Sequence, residues 1–96
     1  MVYEEIIIGI LKDISPNDLE KTINSNSRLI EIIKQYPFAK MAKYIINKDE
    51  ITVENVLFNL KKTRPDLFNV IIKNPNGLNW VRTNVEEIRD WIWSTQ

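Results

Sequence analysis

In this chain of 96 residues the side chains best placed to do chemistry are basic and aromatic rather than nucleophilic. Phe38, Met41, Ala42 and Ile45 form an apolar helical stripe, and at about 100° per residue that stripe leaves Lys40, Lys43, Tyr44, Asn47 and Lys48 on the opposite face. Ammonium groups interleaved with a phenol ring suit a phosphate backbone and a stackable base. The same residues also make an ordinary solvated face, on which the Tyr ring covers apolar neighbours.

A second group lies at 58–65. Phe58 stands off the Val53, Val56, Leu57, Leu60 stripe and one turn before Lys62. Cover by a neighbouring helix is the expected fate of such a ring in a small helical array, and availability to a partner is the alternative. The run Lys61-Lys62-Thr63-Arg64-Pro65 adds a basic corner that suits phosphate or offsets the negative end of a helix dipole. The third group is aromatic. Trp80 and Trp91 share one edge of the stripe Val81, Val85, Ile88, Ile92, whereas Trp93 falls with Arg82, Glu86 and Arg89 on the polar side. There Trp93 stacks on Arg89, anchors a protein partner, or folds back onto the body if the helix ends early.

The inventory points away from catalysis. With no Cys and no His there is no thiolate nucleophile, no imidazole base and no zinc finger, and a metal site would have only carboxylates and carbonyls to use. Glu4/Glu5, Asp49/Glu50 and Glu86/Glu87 are neighbours in sequence, so on a helix their carboxylates diverge by about 100°. No Gly-rich phosphate loop or calcium-loop spacing occurs. No catalytic residue, resident metal, cofactor or small-molecule substrate is expected. The longest apolar run, Ile6 to Leu11, is far short of the ~20 residues of a membrane span. The absence of Cys fits a reducing cytoplasm.

The 13 basic and 13 acidic side chains cancel, yet they are blocked along the chain. Residues 21–48 carry +5 from Lys21, Arg28, Lys34, Lys40, Lys43 and Lys48 against Glu31, and residues 61–82 carry +4 from Lys61, Lys62, Arg64, Lys73 and Arg82 against Asp66. The stretches 1–20, 49–60 and 83–96 are acidic, at −4, −3 and −2. Signed faces of this kind steer and select partners.

The elements that must position these groups read as helices throughout. Tyr3, Ile6, Ile7, Ile10, Leu11 and Ile14 form the first stripe. Ser15-Pro16-Asn17-Asp18 then reads as an N-cap, a first-turn Pro and a capping-box acid, with Ile14 and Leu19 as a hydrophobic staple. A helix over about 16–24 follows, and Asn24-Ser25-Asn26-Ser27 is expected to form the loop and supply the next N-cap. Leu29, Ile32, Ile33 and Tyr36 run into Pro37. Thr52 caps the helix opening at Val53, with Ile51 and Val56 as its staple, and Arg64-Pro65 is a second helix-Pro-helix joint before Leu67, Phe68, Val70, Ile71 and Ile72. Aligning Pro37 on Pro65 pairs Leu29 with Leu57, Ile32 with Leu60 and Lys34 with Lys62, a pattern that coincidence or shared hairpin constraints explain more readily than duplication. Asn74-Pro75-Asn76-Gly77 is the strongest turn signal. Val81 to Val85 alternates like a winged-helix strand, but Ile88 and Ile92 continue a helical period. A helix-turn-helix fits the last two hairpin helices only loosely, since Arg64-Pro65 fills the turn.

These readings combine into a single all-α domain over 1–96, a compact array of six or seven short helices with two helix-Pro-helix joints. The expected function is a non-enzymatic binding module engaging another protein or a second copy of itself through Phe58, Trp93 and Arg89. The alternative is a nucleic-acid-binding accessory domain using Lys40, Lys43, Tyr44, Lys48, Lys62 and Arg64.

Overall fold

The structure, a computed structural model, describes residues 9–11, 13–35 and 52–94. The stretch predicted to carry Lys40, Lys43, Tyr44 and Lys48, the Pro37 joint and the Ile51 half of the second staple lie outside those residues. Among the described residues the fold is all-α with no strand, and residues 81–85 are helical rather than a wing. Residues 9–11 are helical, and the described residues then form α1 (Pro16–Asn24), α2 (Leu29–Ile33), α3 (Val53–Thr63), α4 (Pro65–Lys73) and α5 (Gly77–Ser94). The last spans 18 residues, so the array is not built of short helices alone.

Two of the N-termini follow from local chemistry. Ser15 is extended at φ −78°, ψ 156°, and its Oγ accepts the Asp18 N–H at 3.1 Å; Thr52 Oγ1 accepts the Asn55 N–H at the same distance. The C-terminus of α1 is a Schellman closure. Asn26 takes the left-handed conformation at φ 56°, the Ser27 N–H reaches Thr22 O at 3.1 Å and the Asn26 N–H reaches Ile23 O at 3.1 Å. Asn serves there because its short polar side chain tolerates positive φ.

The start of α2 departs from expectation. Its N-cap is Arg28, which makes no side-chain capping bond, so the expected cap from the 24–27 loop is not made. The Leu29 N–H is instead accepted by Oδ1 of Asn84, 55 residues away, at 2.7 Å, and Asn84 Nδ2 donates to Trp80 O at 2.8 Å. On either side, Trp80 Nε1 donates to Ser27 O at 2.9 Å and Arg28 Nε donates to Glu87 Oε2 at 2.9 Å. Trp80, Asn84 and Glu87 stand one turn apart on α5, so one face of that helix holds Ser27, Arg28 and Leu29, the end of the loop and the start of α2.

Packing confirms the stripes with two corrections. Leu19, Ile33, Val56, Leu60, Leu67, Ile71 and Ile88 are fully buried, and Leu11, Ile23, Leu29, Trp80, Val81, Val85 and Ile92 join the same core. Each fully buried aliphatic side chain contributes about 1.5–3 kcal/mol. In α2, however, Ile30 is the buried residue and Ile32 is exposed, and in α4 Ile72 is exposed. The Ile32–Leu60 pairing therefore aligns an exposed position with a buried one, which weakens the support for a duplicated hairpin. Helix α4 sits at the centre, touching α1, α3 and α5. Gly77 permits the tight entry into α5, because a Cβ there would run into the backbone carbonyl of Ile71.

Candidate partner-binding surface

The second joint is hydrogen-bonded on both sides. α3 ends at Thr63, α4 begins at Pro65, and Arg64 between them has φ −141°, ψ 75°. The Arg64 N–H closes α3 on Leu60 O at 2.7 Å, and its carbonyl accepts the Phe68 N–H at 3.1 Å to open α4. The Arg64 guanidinium is committed within the fold: Nε and an Nη donate to the two Asp66 oxygens at 3.0 and 2.9 Å, and the same Nη reaches Ile14 O at 3.2 Å. This forked pair holds the Asp66 carboxyl below the usual carboxylate range and raises the Arg64 proton affinity further. Arg64 thus staples the joint to the 13–15 turn, and its donors are occupied by the protein itself.

The joint fixes the outer face of α3. Val56 and Leu60 point into the core, with Val53 and Leu57 half-buried beside them, which turns Phe58 outward. Among the described residues no neighbouring helix supplies the expected cover: Phe58 is 60% exposed. Lys62, one turn on, places its Nζ 5.3 Å from the Phe58 ring centroid, and Lys61 places its Nζ 5.6 Å from the ring of half-buried Phe68 on α4. Two aromatic rings and two exposed ammonium groups therefore gather at the C-terminal half of α3. The sequence marks Phe58, Lys61 and Lys62, whereas Phe68 falls on the apolar stripe of α4 and its reach to Lys61 crosses the joint.

The other candidates sit elsewhere. Helix α5 continues to Ser94, so Trp93 neither ends the helix nor folds back; it is half-buried against the core. Arg89 is half-buried and lines an open groove with Thr52, Val53, Leu78, Arg82 and Glu86. Leu78 is 48% exposed at the edge of that groove, which stripe counting misses because it stands in the first turn of α5. Phe58 and Lys62 are brought together, whereas Arg89 and Trp93 belong to a different helix. Among the described residues no group of carboxylates is arranged to hold a metal ion, and no helix is long and apolar enough to cross a membrane. Compared with protein-family models, with curated proteins and with solved structures, the chain matches none.

Proposed function

We propose that the chain is a non-enzymatic helical binding module whose partner is another protein or a second copy of itself. The observation that carries this reading is Phe58, a large ring left 60% exposed on a helix whose register is fixed by a cap at one end and a stapled Pro joint at the other. Aromatic side chains bury 150–250 Å² each when covered and are enriched among interface anchors. Pre-organisation adds to this, since the hydrogen-bonded joint and the cation–π contact reduce the ordering cost on binding. The lack of Cys suits work in a reducing cytoplasm.

A second reading, binding to nucleic acid, rests on Lys62 beside an exposed ring, a pairing that single strands use. It is the weaker one because Arg64 is engaged by Asp66 and Ile14. Size-exclusion with light scattering, combined with pull-down by wild type and Phe58→Ala, tests the primary reading. Loss of self-association or of a captured protein in Phe58→Ala is expected. A strict monomer that captures nothing, in both forms, overturns it.

A further inference from the structure

Resting on the protein-binding reading, we propose that the outer face of α3 takes an acidic polypeptide segment with an apolar anchor, the anchor seated against Phe58 and its flanking carboxylates on Lys61 and Lys62. At about 100° per residue Phe58 projects between Lys61 and Lys62, one turn before them; the Lys62 ammonium lies over its ring, and the Lys61 ammonium lies over the Phe68 ring on α4. Both lysines are exposed, and neither has an ion pair among the described residues. The remaining charges of the corner, Arg64 and Asp66, neutralise each other. Glu54, also exposed, lies one turn before Phe58 and two turns before Lys61 and Lys62, so the positive charge of α3 is confined to the side of the ring towards its C-terminus. Each ammonium is already held near a ring, at 5.3 and 5.6 Å, so a carboxylate meets a cation whose side chain is partly ordered.

Charge complementarity selects the occupant. Two ammonium groups neutralise about two phosphates, a logarithmic salt slope of roughly −1.4 on a single strand, against the six to ten contacts of a committed nucleic-acid binder. Carboxylates around an apolar anchor use both lysines and the ring together.

The full chain, isotope-labelled for amide NMR, is titrated with a short peptide of Glu and Leu whose leucines fall at helical spacing, with its Lys and Leu counterpart, and with an oligothymidine. The Glu/Leu peptide is expected to shift the amides of 55–68, with an affinity that falls about tenfold in Phe58→Ala and loses its salt dependence in Lys61→Gln/Lys62→Gln. Equal binding of the Lys/Leu peptide, tighter binding of oligothymidine, or no shift at millimolar peptide overturns the proposal. Shifts confined to Leu78 and Arg82 overturn this assignment and leave the protein-binding reading standing, whereas failure of every probe together with an empty wild-type pull-down removes both.

Discussion

Replacing Asn84 by Ala removes the single buried polar side chain in the described core, 3% exposed, whose carboxamide spans α5 and the start of α2. The Leu29 N–H would be left buried with no acceptor, which costs about 1–3 kcal/mol. The lost donation to Trp80 O adds about 0.5–1 kcal/mol, because in an intact helix that carbonyl keeps its backbone partner. The expected destabilisation is about 2–3 kcal/mol, and at about 1.5 kcal/mol per M it lowers the urea midpoint by roughly 1–2 M with the slope unchanged. Urea unfolding followed by Trp fluorescence reads it, since Trp80 is buried beside the site. Thr83→Ala, exposed on the same helix, serves as the control and should stay within about 0.5 kcal/mol of wild type. An Asn84→Ala variant as stable as that control would refute the claim that α5 caps α2.

Gly77→Ala should destabilise by about 1–3 kcal/mol in the same assay, opposite in sign to the usual gain from Gly→Ala in a helix, because the added Cβ meets the Ile71 backbone. Phe58→Ala should change stability by less than about 1 kcal/mol, since only the exposed ring and its contact with Lys62 are lost; a larger loss by urea midpoint would mean that the ring is structural. Asp66 has its proton affinity lowered by Arg64 in the folded chain, so its contribution is full at neutral pH and is lost as pH falls below the ordinary carboxylate range. Urea midpoints of wild type and Asp66→Asn should therefore differ most at neutral pH and converge in strong acid.

The parts of this fold that the sequence makes legible are those settled within one helical turn. Ser15 and Thr52 cap through bonds to residues three positions on, Pro65 forces the break after Arg64, and Val81, Val85, Ile88 and Ile92 fall on one buried stripe. What escapes is decided across the chain. Asn84 caps Leu29 over 55 residues, a bond that no local pattern announces. Ile30 and Ile32 are equivalent by composition and differ only in which side of a five-residue helix meets α5. The candidate site divides in the same way. The sequence places Phe58 off the core stripe and one turn from Lys62, but whether a helix covers that face depends on how α4 leaves the Pro joint. That geometry is set by the grip of Arg64 on Asp66 and Ile14.

The central claim is that the outer face of α3 is where a protein partner docks. A photo-cross-linking side chain at position 58, compared with one at the exposed position 83 and competed with the Glu/Leu peptide, tests it most directly. A protein adduct from position 58 that the peptide suppresses, and none from position 83, is the expected result. An adduct of equal yield from both positions, or none from position 58, would contradict it.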